Sequence, residues 1–163
     1  KENNIEYASE YLIDSYIIES INKKSILCLK DNHILVEMSY INKHNNLYEI
    51  IHYILVNGYI PILAHPERYI YFHQNFKDYK KLKKVGCKFQ LNLLSVTGYY
   101  GKKILSISEK LLKNNLIDFV GSDIHNLNHC NQFKNKVVIK NLKDLEKAIN
   151  SNKFFSWTWV NYK

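Results

Sequence analysis

The sequence predicts an α/β protein built on parallel strands, and three observations predict it. Short β-rich runs alternate with longer segments of helical period through the middle of the chain. Polar side chains, Glu37, His65 and Asp123, stand at or just past the ends of those β-rich runs. Their spacing is regular, with 28 residues from Glu37 to His65 and 58, about two such units, from His65 to Asp123. Strand–helix units of that size imply parallel strands joined by right-handed crossovers. The C-terminal ends of parallel strands are where a barrel or an open α/β sheet places its site.

The elements follow in order. An amphipathic segment opens the chain. Ile34-Leu-Val-Glu-Met38 reads as a buried strand. Leu47, Ile50, Ile51, Ile54 and Leu55 then mark one face of a helix, with Asn45 or Asn46 to cap its start and Gly58 its end. Tyr59 to Ala64 is the second strand, and a helix from about Phe76 to Val85 stops at Gly86. Lys88 to Leu94 is the third strand. Gly98 to Asn115 forms a longer helix with Ile104, Ile107, Leu111 and Leu112 on one side, and Leu116 to Val120 is the fourth strand. A fifth unit is expected, with Val137 to Ile139 as strand and Leu142 to Ile149 as helix.

Composition bounds the function classes. A chain of 163 residues, 46% hydrophobic and 23% charged, fits one globular domain. Two prolines and five glycines leave no linker or disordered tract. The longest apolar runs, such as Ile60 to Ala64, are too short to span a bilayer, and the first residues hold no secretory signal. A net charge of +8 raises the question of nucleic acid. The basic residues are dispersed, however, and the richness in Lys, Asn, Ile and Tyr follows AT-rich codons. The expectation is a solvated lysine surface with no specific nucleic-acid partner. Cys28, Cys87 and Cys130 form no Cys-x-x-Cys pair, which points to a reducing, cytoplasmic setting, with Cys87 a buried thiol. The oligomeric state stays open.

Three groups of residues carry chemistry. His65 follows an apolar strand and precedes Pro66, Glu67 and Arg68 in a turn set by the proline. A neutral imidazole is a common metal ligand, and an arginine fork suits phosphate. Asp123 and His125, in Gly-Ser-Asp-Ile-His, lie two apart, so an extended backbone points both at one site. Glu37 interrupts an apolar strand, where an ionised carboxylate calls for a partner or a metal. Mixed carboxylate and imidazole ligands suit zinc, manganese or iron better than calcium. His33, His44, His52, His73 and His129 sit in polar or surface-helix contexts, where surface placement is expected. Tyr99, Tyr100, Phe154, Trp157 and Trp159 are expected to pack in the core or at the rim. No Gly-rich phosphate loop and no Gly-x-Ser-x-Gly elbow occurs.

Four segments occur together and in order: Leu-Val-Glu37-Met-Ser-Tyr; Gly58-Tyr-Ile-Pro-Ile-Leu-Ala-His65-Pro-Glu-Arg68-Tyr; Phe89-Gln-Leu-Asn-Leu-Leu-Ser95 with Gly98-Tyr-Tyr-Gly101-Lys; and Asp118-Phe-Val-Gly-Ser-Asp123-Ile-His125-Asn. From about Glu10 to His129 the chain closely resembles the bacterial tyrosine-protein phosphatases of the PHP superfamily, the type associated with capsular and exopolysaccharide gene clusters. The resemblance implies a distorted TIM-like (β/α)7 barrel. It implies two or three divalent metals in the complete domain, often manganese, with Glu37, His65, Asp123 and His125 as ligands and Glu10 a further acidic one. Arg68 matches the family's phosphate-binding arginine. The implied reaction is hydrolysis of phosphotyrosine on a protein, naturally the tail of a bacterial tyrosine autokinase that regulates polysaccharide export.

The chain departs from the family in one respect. Family members open with a His-x-His motif on the first strand, and here nine residues precede Glu10 without it. Residues 1–163 are therefore expected to be a single domain forming the C-terminal two-thirds of the PHP barrel, incomplete at the N-terminus. Two other readings stand beside the leading one. One is a PHP phosphatase for a small phosphomonoester such as histidinol phosphate. The other is a non-catalytic remnant serving as a binding module.

Overall fold

The structure, a computed structural model, describes residues 7–155. Strands β1 (Glu10–Leu12), β2 (His33–Glu37), β3 (Ile60–Ala64), β4 (Lys88–Asn92) and β5 (Phe119–Gly121) form one sheet in the order β1-β2-β3-β4-β5, every pair parallel. The crossovers carry α1 (Ser15–Asn22), α2 (Leu47–Val56), α3 (Ile70–His73), α4 (Lys77–Lys84) and α5 (Lys102–Lys113). After β5 come α6 (Leu127–Gln132), α7 (Leu142–Ser151) and a 3₁₀ turn at Asn152–Phe155. Spatial order equals chain order, so all C-terminal strand ends share one rim.

The register sorts the strand side chains onto two faces. Tyr11, Val36, Leu63 and Phe89 lie side by side, as do Leu91 and Val120. These belong to the two apolar clusters, where Ile17, Ile51, Ile54, Tyr79 and Leu82 cover the first and Leu112, Leu145 and Ala148 the second. The helices thus take one face of the sheet. The opposite face presents Glu10, Glu37, Gln90 and Asn92. At the base of that face, the Phe154 ring lies 4.7 Å from the ring of His33 on β2 and 5.8 Å from that of Phe119 on β5. Those strands are three places apart, about 14 Å in a flat sheet, so contact through one ring fits a sheet that curls.

β5 has no strand beyond it among the described residues, yet its outer edge is not bare. The Asn152 amide accepts from the Val120 N–H (3.0 Å) and donates to the Val120 carbonyl (2.8 Å), standing in for a sixth strand. Asn152→Ala leaves both groups of a buried residue without that partner. A loss of about 1–3 kcal/mol in urea denaturation is expected; an unchanged midpoint would mean water replaces the amide.

Local expectations hold with some adjustments. The strand read as Leu116 to Val120 runs only from Phe119 to Gly121, and Asn46 precedes the helix at Leu47 without a side-chain cap bond. The strand read as Lys88 to Leu94 stops at Asn92, whose side chain accepts from the Leu94 N–H (2.8 Å) and starts a 3₁₀ turn at Leu93–Thr97. The helix read from Gly98 begins at Lys102, because Gly98 (φ 82°) and Gly101 (φ 92°) turn the chain through left-handed conformations first. Val137 to Ile139 is not a strand. One hydrogen bond, from the Val138 N–H to the Val96 carbonyl (2.9 Å), ties it to the 3₁₀ turn rather than to the sheet, and Ile139 alone of the three is buried. β1 was not foreseen as a strand: three residues carry no readable period.

Trp157 and Trp159 lie outside the described residues. All three cysteines are free, Cys87 is buried, and burial pushes its thiol up to about 12. Among the described residues no helix is long and apolar enough to cross a membrane.

Candidate functional site

Glu10 opens β1, Glu37 closes β2, and His65 follows β3 directly. One ligand atom from each lies within 4.8 Å of the others. His65 Nε2 is 3.4 Å from Glu10 Oε1 and 3.6 Å from Glu37 Oε2, while the ring is 3% exposed. His65 sits at φ 37°, a left-handed conformation uncommon for a side chain with a Cβ. Its N–H still bonds to the Gln90 carbonyl (2.8 Å), and Pro66–Arg68 turns away at once as a 3₁₀ helix. The backbone reversal is what leaves the imidazole between the two carboxylates.

Electrostatics follow the geometry. Burial opposes charge on His65, but Glu10 and Glu37 outweigh it and raise the ring's pKa to about 9. In return, the hydrogen bond with His65 pulls Glu37 below the usual carboxylate range, against the opposing effect of burial, with Arg68 and His125 adding to it. The two carboxylates thus favour positive charge at His65. Because the folded pKa of His65 exceeds its ordinary 6.5, its contribution to stability is complete below about pH 6.5. That contribution is lost as pH rises through 9. The metal-free chain should lose stability over that window in denaturant titrations, and metal uptake at pH 7 should release a proton, read from the buffer dependence of calorimetric heats.

Arg68 stands beside this cluster. Its Nη1 donates to Asp123 Oδ2 (2.9 Å), which also accepts from Asn92 Nδ2 (3.0 Å). The guanidinium carbon is 4.6 Å from the centre of the Tyr40 ring and 4.4 Å from that of Tyr100. Behind them, Glu67 is fully buried: Oε1 accepts from the Asn92 N–H (3.1 Å) and the Ser95 hydroxyl (2.6 Å). Oε2 has no partner among the described residues, and burial pushes this carboxyl up. Glu67 thereby fastens the turn bearing His65 and Arg68 to the end of β4.

Asp123 and His125 meet by a different route from the extended backbone expected. β5 ends at Gly121 and Asp123 is left-handed at φ 49°, so the two side chains do not alternate along a strand. A turn instead brings His125 Nδ1 to 3.3 Å from Asp123 Oδ1 and 3.0 Å from the Asp123 carbonyl. A carbonyl only accepts, so Nδ1 carries the proton and Nε2 keeps a free lone pair, the arrangement typical of metal-ligating histidines. His125 is exposed. The predicted set therefore divides: Glu10, Glu37 and His65 are gathered into one cluster, while Asp123 and His125 form an adjoining wall to which Arg68 bonds.

Tyr40, Tyr100, Asn92 and Glu67 received no site role from the sequence. Asn92 interrupts a β-rich run just as Glu37 does, and that position was its readable signal. His129 approaches the wall, with Nδ1 3.3 Å from the Asp123 carbonyl. His33 and His73 are half-buried rather than at the surface, and burial lowers both rings' pKa.

A parallel α/β sheet with Glu37, His65, Arg68 and Asp123 at or just past its C-terminal strand ends, and Glu10 on β1 beside them, defines a class, the α/β proteins whose polar centre, able to hold a metal, lies at the strand rim. The chain belongs to the capsular polysaccharide synthesis family CpsB/CapC, which matches residues 1–152. It is 31% identical over 119 residues to the tyrosine-protein phosphatase YwqE of Bacillus subtilis, covering 72% of this chain and 47% of YwqE. It is 30% identical over 129 residues to the tyrosine-protein phosphatase CpsB of Streptococcus pneumoniae, covering 76% and 53%. The chain thus spans about half the length of the curated relatives it matches. Among solved structures it superposes, with a TM-score of 0.71 and 29% identity, on a chain from the crystal structures of YwqE and CpsB, described there as metal-dependent tyrosine phosphatases. That match covers 86% of this chain and 56% of the other.

Proposed function

We propose that the chain is the C-terminal two-thirds of a metal-dependent protein-tyrosine phosphatase domain that acts in capsular or exopolysaccharide synthesis. The observation that carries this reading is the Glu10–Glu37–His65 cluster with the chain's single arginine beside it. In this reading residues 1–163 are one PHP-type domain whose sheet belongs to a distorted TIM-like (β/α)7 barrel. Helices on one face, functional groups on the other and the curl at Phe154 all support it.

The donor set fits a divalent cation: two carboxylate oxygens and an imidazole nitrogen lie within 4.8 Å of one another. Glu10, Glu37 and His65 would hold it, with Asp123 and His125 as further ligands. Manganese is the metal we favour, two or three ions in the complete domain. When bound, such ions acidify water and draw charge from phosphoryl oxygens. The protein's own part is to bind and orient. Arg68 has five N–H donors, and Asp123 takes one through Nη1; the others have no hydrogen-bond partner among the described residues and can take phosphoryl oxygens. A guanidinium held in place before charge builds up on those oxygens stabilises the transition state without reorganising. This chemistry needs no cysteine nucleophile, and Cys87 is buried and held protonated.

We assign the substrate as phosphotyrosine on a protein, with a bacterial tyrosine autokinase as the natural partner and the cytoplasm as the location. The test is hydrolysis of a phosphotyrosine peptide at neutral pH with added manganese, alongside phosphoserine peptide and histidinol phosphate. Preference for the phosphotyrosine peptide is expected. Preference for histidinol phosphate would move the assignment to a small phosphomonoester. Absence of turnover in the metal-loaded, full-length protein would reduce the chain to a binding module.

A further inference from the structure

We propose that Tyr40 and Tyr100 are positioning residues for Arg68, holding its guanidinium flat and aimed before a phosphoryl oxyanion arrives. The inference rests on the reading of Arg68 as the phosphate-binding group and adds two residues to it.

Arg68 is the single arginine in a chain with 23 basic residues, so 22 of them are lysines. Lysine satisfies charge elsewhere in this protein, and this position alone uses a planar fork. Lysines also lie over rings in this protein, as Lys110 does at 4.2 Å from the centre of Phe76 and Lys43 at 4.9 Å from that of Tyr48. Only a planar guanidinium, however, can stack on a ring and still present a fork of N–H donors at its edge. Here two rings take that role, with the guanidinium carbon 4.6 Å from the centre of Tyr40 and 4.4 Å from that of Tyr100.

Both rings are themselves tethered to the site. Tyr40 stacks on His65 at 5.3 Å and 30° and on the buried Tyr69 at 5.8 Å and 25°, and its hydroxyl lies 3.2 Å from His65 Nε2. Tyr69 is fixed in turn, its hydroxyl accepting from the Met38 N–H at 2.9 Å. The Tyr100 hydroxyl accepts from Asn92 Nδ2 (3.3 Å), the same amide that bonds to Asp123 Oδ2. Arg68 is therefore held at one nitrogen by Asp123 and over its carbon by two rings, each anchored to a different strand end.

The choice of rings has a chemical reason. A second carboxylate would also fix the guanidinium, but it would occupy N–H donors and repel an incoming phosphate. An aromatic face attracts the cation through its quadrupole and consumes no donor. Rotamer freedom is removed while the hydrogen-bonding capacity stays available.

The single arginine gives a direct reporter. In ¹⁵N-labelled chain with magnesium as the diamagnetic metal, one side-chain Nε–Hε resonance is expected, displaced by ring currents from the two tyrosines. Inorganic phosphate should move it saturably. Tyr40→Phe and Tyr100→Phe keep the ring and should keep both the displacement and the phosphate affinity. Tyr40→Leu and Tyr100→Leu, made singly and together, keep apolar bulk without a ring. Each should lose part of the displacement, and the pair should bind phosphate about tenfold more weakly. Leucine variants that bind phosphate like the unaltered chain, while its resonance responds normally, overturn this inference alone. An unaltered chain whose arginine resonance ignores phosphate overturns the phosphate role of Arg68 and this inference with it.

Discussion

Replacing Arg68 with Ala should lower kcat/KM for a phosphotyrosine peptide by about a hundred- to a thousandfold, the loss seen when one preorganised oxyanion donor is removed. Metal content should hardly change. Arg68 bonds to none of Glu10, Glu37 and His65; its ion pair is with Asp123, whose Oδ2 keeps its bond from Asn92 when the guanidinium is gone. Glu10, Glu37 and His65 keep their mutual distances because none depends on the arginine side chain. Arg68→Lys should recover only part of the activity, since a point charge cannot present two parallel donors or lie flat on Tyr40 and Tyr100. Metal analysis by mass spectrometry beside steady-state kinetics checks this. A variant that loses its metal along with its activity would make Arg68 a support of the metal centre instead.

His65→Ala should act the opposite way, lowering metal affinity by at least about a hundredfold and activity in parallel. The structure adds two reasons beyond the lost ligand. Glu10 and Glu37 would face each other without the ring between them, two like charges with no imidazole to separate them. Tyr40 would also lose its stacking partner, loosening Arg68. Excess metal should therefore restore part of the activity of His65→Ala and none of that of Arg68→Ala. Equal rescue of both variants by metal would show that the two residues do not have separate roles.

How much of this was legible differs from residue to residue. Glu37 and His65 were readable because a polar group at the end of an apolar run is costly unless it has a task. Their meeting at one rim followed from equal spacing on parallel strands. Glu10 entered only through family resemblance, since a three-residue strand shows no period; its pairing with β2 is what delivers it to His65. Asp123 and His125 were found by spacing, but for the wrong geometric reason: a left-handed turn, not an extended strand, brings them together. Val137 to Ile139 has the composition of a strand, but no strand edge of the sheet receives it.

The sequence by itself determined the α/β class, the strand–helix order, the identity of Arg68 and the rim on which the polar groups collect. These are local properties: side-chain period, turn chemistry and the charge tolerated at each position. Only the tertiary structure decided that His65 lies between two carboxylates, and that Tyr40 and Tyr100 pack on one guanidinium. Tyr40 and Arg68 are 28 residues apart, and Arg68 and Tyr100 are 32 apart. No local pattern encodes contacts made across separate strands. They arise because the parallel register sets the strand ends side by side, and because backbone reversals at His65 and Asp123 turn the site's side chains toward one another.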